Sequence, residues 1–237
     1  MIEDLNYKKE IYFPSYSGSN DNLIYLVNKT SKIICDCFSN AEKYGPLPLD
    51  GDFNFHLPDL QGSSQDELFL EIENLISHSF NPVHPGSLAH LDPPPLLFSI
   101  LGDLIAAALN NNLLAYELSP SITRLEESLI NWFSKRIGFK NCSGGIVASG
   151  GTLSNLNALI TARHNSGLGS DPNAVLLVSE DAHSSFKKCI RIMGLHDNNL
   201  IKIPTNTEGC MDLNNLNETV KNCIIKNKKI FSIVATL

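Results

Sequence analysis

From residue 144 onward the chain alternates short apolar runs with helical stretches, and this order constrains the fold more than any other feature of the sequence. The runs 145–148, 174–179, 200–203 and 230–236 read as strands. The stretches 152–163, 186–193 and 213–226 read as the helices between them. The best strand, 174–179, is apolar over five successive residues with no in–out alternation. Continuous apolarity requires cover on both faces, which a parallel sheet flanked by helices provides. The expectation is therefore an α/β fold with a mainly parallel sheet.

The region before it is different. Segments 21–38 and 65–78 read as helices with polar connections, so residues 1–80 form an N-terminal helical segment. Residues 81–95 hold five prolines (Pro82, Pro85, Pro93, Pro94 and Pro95), which forbid helix and fix an extended connector. The segment 96–110 is helical and apolar almost all round, so burial in a core or a subunit interface is expected. A further amphipathic helix over 122–137 places Ile122, Leu125, Leu129, Trp132 and Phe133 on one face. Residues 96–237 are expected to form one incomplete large domain.

Composition narrows the partners. A net charge of −7 repels nucleic-acid phosphates and anionic lipid, and the cluster Lys226, Lys228 and Lys229 reads as a solvated loop. No stretch has the apolar length of a membrane span, so neither nucleic acid nor membrane is expected as a partner. The six cysteines are scattered, as thiols in a reducing cytosol would be, and a cytoplasmic location is expected. The histidines show no metal-ligand spacing, and no metal is expected.

Four segments carry chemistry. Ser149-Gly150-Gly151-Thr152 lies between a strand and a helix, where free backbone N–H groups and the helix macrodipole attract an anion such as phosphate. The alternative is a tight turn with Thr152 as a helix cap. Ser179 to Ser185 leaves strand 174–179 at the edge where α/β sheets bind ligands, and His183 there can stack on a ring or move a proton. The alternative is that Asp181 or Ser184 caps the next helix and His183 is incidental. Leu114 to Pro120 is a loop with a Ser-Pro turn signal, and the proline-rich stretch around His84 and His90 is a pocket lining or a linker.

Taken in order, these segments resemble the group II pyridoxal-phosphate-dependent decarboxylases, which act on aromatic amino acids, glutamate, histidine and diaminobutyrate. The matching strings begin with His84-Pro85, Leu91-Asp92-Pro93-Pro94, Leu118-Ser119-Pro120 and Leu125-Glu126. They continue with Gly144-Gly145, Ser149 to Thr152, Asn155-Leu156, Ala162-Arg163 and Asp181 to Ser185. Gly209, Met211-Asp212 and Val234 to Leu237 complete the set.

The resemblance implies a fold type I large domain that binds pyridoxal 5′-phosphate and decarboxylates an L-amino acid as a homodimer. Gly150, Gly151 and Thr152 match the phosphate loop, and His183 matches the catalytic histidine that stacks on the cofactor ring. His90, Leu91 and Pro93 match the substrate pocket. The family often carries aromatics there, where this chain has Gly86, Ser87 and His90, which weakens the case for an aromatic substrate. Family members continue past this length with an aspartate for the ring nitrogen and a lysine that holds the cofactor. Neither motif occurs here, and Lys187 and Lys188 read as helix surface. The chain is thus expected to be an N-terminal portion, inactive alone, with a C-terminal complement as partner. The competing expectations are a non-catalytic remnant, half of a split enzyme, or another fold type I lyase.

Overall fold

The computed structural model describes residues 13–16, 18–47, 62–88, 91–140 and 143–236. The chain divides into two compact units, Met1–Asn110 and Asn111–Leu237.

The first unit is helical: α1 (Asp21–Ser39), the single turn α2 (Ala41–Tyr44), α3 (Gln65–Ser77) and α4 (Leu97–Leu109). Ser64 starts α3 with a capping box. Its side chain accepts the Glu67 N–H, and the Glu67 carboxylate accepts the Ser64 N–H at 2.7 Å. Asn110 stops α4 in the left-handed conformation, which asparagine tolerates better than most residues. α1 and α3 meet edge to face through Tyr25 and Phe69, with the Lys29 ammonium 4.0 Å from the Phe69 ring centre. The apolar helix α4 has no buried residue: Leu97, Phe98 and Leu101 stand exposed. The cover expected for it, in a core or a subunit interface, is not supplied by the described residues.

The second unit holds α5 (Pro120–Arg136), α6 (Gly151–Asn165), β1 (Ala174–Ser179), α7 (Ser185–Ile192), β2 (Leu200–Ile203), α8 (Leu213–Ile225) and β3 (Lys229–Val234). The three strands form a parallel sheet in the order β2-β1-β3. Strand residues alternate between faces, and both faces of β1 are covered. Ala174, Leu176 and Val178 pack with Leu159 of α6 and with Phe186, Cys189 and Ile190 of α7. Val175 and Leu177 pack on the other side with Cys223, Leu216 and Val220 of α8. Every residue of β1 is buried, which is why its sequence shows no alternation. This is the α/β architecture with a parallel sheet that the sequence announced.

One detail corrects the sequence reading. Residues 145–148 form no strand. No neighbouring strand pairs with them among the described residues, and a strand without a ladder has no backbone partners to hold it. Gly145 instead presses on α5, where an added Cβ would come within 3.1 Å of Ile130 Cγ2. On α5 itself, Leu125, Leu129, Trp132 and Phe133 are exposed, and Ser134 is the buried residue. On α6, Ile160 points outward, and Arg163 completes the inward stripe with Leu156 and Leu159.

Arg163 is buried without a carboxylate at hydrogen-bond distance. Its guanidinium donates to the carbonyls of Leu168 (2.9 Å), Met193 (2.9 Å) and Asp171 (3.2 Å). One planar fork thus ties the loop entering β1 to the end of α7.

Candidate functional site

α6 begins at Gly151, with Gly150 as its extended N-cap residue and no side chain capping it. Thr152 therefore does not serve as the cap. The first helical bond runs from the Ser154 N–H to the Gly150 carbonyl, so the N–H groups of Gly151, Thr152 and Leu153 have no carbonyl within the helix. Neither glycine is demanded by the fold. Gly150 is extended, a conformation open to any residue, and a Cβ at either position would meet nothing within 4 Å. The chain presents bare backbone donors, with the positive end of a helix dipole behind them, at a place where side chains would fit but are missing. That is what an anion-binding turn requires.

The turn leaving β1 is pinned from several sides. The Ala182 N–H donates to the Ser179 carbonyl at 3.0 Å, and the Glu180 N–H to the Ile203 carbonyl at 2.8 Å. Glu180 Oε1 accepts both the backbone N–H (2.7 Å) and the hydroxyl (3.0 Å) of Thr205, beyond the end of β2. Those two bonds, the backbone one foremost, hold the Glu180 carboxyl below its ordinary range. Lys202 Nζ donates to the Glu180 carbonyl at 2.9 Å.

His183 sits on this turn, exposed, and it replaces the expected cap of α7. Neither Asp181 nor Ser184 caps that helix with its side chain. The Ser185 N–H donates to His183 Nδ1 at 3.2 Å, and Ser185 Oγ lies 2.9 Å from the same nitrogen. Ser185 is wholly buried, and its Oγ accepts from Asn155 Nδ2 of α6 at 3.1 Å. Cys189 of α7 also approaches the Thr152 carbonyl, with its Sγ at 3.8 Å. The glycine turn and the His183 turn, separate motifs in the sequence, are therefore joined through α6 and α7.

The remaining predicted residues lie elsewhere. His90 is outside the described residues. Leu91 and Pro93 belong to the first unit and are exposed. Leu91 has φ +75°, which is costly for a leucine and tends to persist where surrounding structure enforces it. The first unit contains a cavity of about 540 Å³ walled by Ile33, Cys37, Phe38, Ile76, Phe80 and Ile100 among others, and neither Leu91 nor Pro93 lines it. Among the described residues no group of three or more His, Cys, Asp or Glu side chains gathers to hold a metal ion. Nor is any described helix long and apolar enough to cross a membrane.

Asn155 and Ser185 were missed as partners of His183. A signal was present. Asparagine is a poor helix former, and at the fifth position of a helix it needs a polar task.

Residues 53–237 match the pyridoxal-dependent decarboxylase conserved domain. The chain belongs to this family. The L-2,4-diaminobutyrate decarboxylase of Acinetobacter baumannii is 28% identical over 192 residues, 73% of this chain and 38% of that protein. The glutamate decarboxylase domain of a diaminobutyrate-pyruvate transaminase and L-2,4-diaminobutyrate decarboxylase from Vibrio parahaemolyticus superposes with a TM-score of 0.85 at 21% identity, over 98% of this chain and 54% of that one. A TDC structure from Oryza sativa, solved with PLP and tryptamine, gives a TM-score of 0.79 at 21% identity, over 93% of this chain and 52% of that one. The fold is therefore that of the decarboxylase large domain, and this chain spans about half or less of the length of these relatives.

Proposed function

We propose that this chain supplies the phosphate-binding and ring-facing part of an L-amino-acid decarboxylase dependent on pyridoxal 5′-phosphate. The observation that carries the reading is the pair Gly150 and Gly151, bare at the N-terminus of α6 and tied through that helix to His183. Bound there, pyridoxal phosphate supplies an electron sink for loss of a carboxyl group. The N–H groups of Gly151 and Thr152 hold the phosphate, and the Thr152 hydroxyl adds a donor. The His183 imidazole offers a flat face to the ring and acts as the catalytic histidine. His90, Leu91 and Pro93 line the substrate pocket. The relatives named above include decarboxylases of diaminobutyrate, and the substrate proposed here is likewise an L-amino acid.

A homodimer is part of this reading, and the exposed apolar face of α4 supports it. So is inactivity of the 237 residues alone, supplied with a complement in the working enzyme. In support, no lysine in this sequence directly follows a histidine. The domain boundaries at 1–80, 81–95 and 96–237 and a cytoplasmic location complete the proposal.

The test is carbon dioxide release from a panel of L-amino acids by the full-length protein, alongside absorbance titration with pyridoxal phosphate. Gly151→Val places a branched side chain among the phosphate donors and should abolish saturable binding. Equal binding by this variant and the unsubstituted protein would remove the glycine turn from the site.

A further inference from the structure

A backbone N–H can only donate, so the 3.2 Å contact from the Ser185 N–H makes His183 Nδ1 an acceptor. Nδ1 then carries the lone pair, and in the neutral ring the proton sits on Nε2. The second neighbour of Nδ1, Ser185 Oγ at 2.9 Å, must therefore donate its single proton to it. Having spent that proton, Ser185 Oγ can only accept, and it does so from Asn155 Nδ2 at 3.1 Å. The bonds run in one direction, from the Asn155 amide through the Ser185 hydroxyl to the imidazole. The middle member has no access to water, so no solvent molecule substitutes for it.

We propose that Ser185 and Asn155 are positioning residues that hold the neutral His183 ring as its Nε2–H tautomer. Through Asn155, this relay also fastens the histidine turn to the phosphate-binding helix α6, so the two halves of the site keep a constant spacing. The tautomer follows from the geometry of the chain itself. What the locked ring meets rests on the cofactor reading given under Proposed function.

The experiment uses the full-length protein labelled with 15N-histidine and free of cofactor, at a pH alkaline enough to keep the ring neutral. Ring nitrogen shifts should report a protonated Nε2 and a bare Nδ1 for His183. Asn155→Asp keeps the shape of the side chain but removes the amide donor. The Ser185 hydroxyl then turns toward the carboxylate, leaving the Ser185 backbone N–H alone to hold Nδ1. A mixture of tautomers is expected, and Ser185→Ala should give one too. A protonated Nδ1 in the unsubstituted protein, or no change in either variant, would overturn the relay, and the first of these outcomes needs no variant to fold.

Cofactor affinity is read on Ser185→Ala, which adds no charge beside the phosphate turn. Absorbance titration should show pyridoxal phosphate bound more weakly by roughly five- to tenfold, the worth of one hydrogen bond. A shifted tautomer with unchanged affinity and turnover would refute the positioning role by removing His183 from the cofactor site. An unchanged tautomer would refute the relay and leave the cofactor reading standing.

Discussion

In the second unit every residue of β1 is buried, whereas α4 of the first unit, thirteen residues with an equally apolar sequence, buries none. Both segments carry the hydrophobicity of a core. They differ in where their cover comes from. The strand is enclosed by α6, α7, α8, β2 and β3, all within about 60 residues of it along the chain. α4 has no such set of neighbours in sequence. Hydrophobicity states that a segment must be covered, and a local supersecondary unit decides whether the cover is already at hand.

The contrast breaks most directly by truncating both segments. Leu176→Ala in β1 should cost about 2–5 kcal/mol, because the side chain lies between two packed layers. Leu101→Ala in α4 should cost less than about 0.5 kcal/mol within the chain, as exposed substitutions do. Denaturant unfolding of the full-length protein checks both. A large loss at Leu101 would show that α4 is covered, and Phe98→Glu then tests by sedimentation whether a second copy covers it. The homodimer proposal expects Phe98→Glu to lower the dimer fraction.

Arg163→Ala sharpens the picture of how the sheet unit holds its loops. Three carbonyls lose their donor at once, at an expected cost of about 2–4 kcal/mol. Arg163→Lys should recover little, since one ammonium does not reproduce a planar fork. Amide hydrogen exchange in the loop 166–173 should rise in both variants, and full protection in the lysine variant would rule the fork out.

A purely local device belongs to the first unit. Ser64→Ala removes half of the capping box of α3 and should cost about 1 kcal/mol. Far-ultraviolet circular dichroism through a thermal ramp should show the loss, and an unchanged midpoint would mean that α3 is held by α1 packing instead.

The smallest effect expected is with pH. Asp171, Glu180 and Asp212 of the second unit all titrate below their ordinary range. The Lys229 ammonium is the main cause for Asp171, the Thr205 backbone N–H for Glu180 and the Asn215 backbone N–H for Asp212. A carboxyl with a lowered folded pKa stabilises the fold fully above its unfolded value, about 4. That contribution fades as pH falls through the lowered folded value. These groups lie near solvent, so the loss should be small and screened by salt. Glu180→Gln should flatten the acid limb of stability slightly. A steeper limb would contradict the Thr205 assignment.

Much of the fold was legible because its signals are local. The bounds of β1 and β2 match the apolar runs 174–179 and 200–203, and α6 to α8 fall within a few residues of expectation. The glycine turn stood out as a candidate anion site because glycine between a strand-like run and a helix has a short list of uses. The link from Asn155 through Ser185 to His183 did not, since 30 residues separate Asn155 from Ser185 in sequence and a hydroxyl's direction depends on both neighbours. The role of Arg163 was hidden for a similar reason, since one of its three acceptors, the Met193 carbonyl, lies 30 residues away at the end of α7.

The sequence by itself determined the strands β1 to β3 and the helices between them, that the sheet is parallel, and that the glycine pair and His183 lie at the starts of α6 and α7. Periodicity, proline and glycine are properties of neighbouring residues, so no partner is needed to read them. The tertiary structure alone decided that 145–148 is not a strand, that α4 stays exposed within the chain, and that His183 is held through Nδ1. A ladder, a buried face and a directed hydrogen bond each require a second group at a fixed distance, and that group is supplied by a segment remote in sequence.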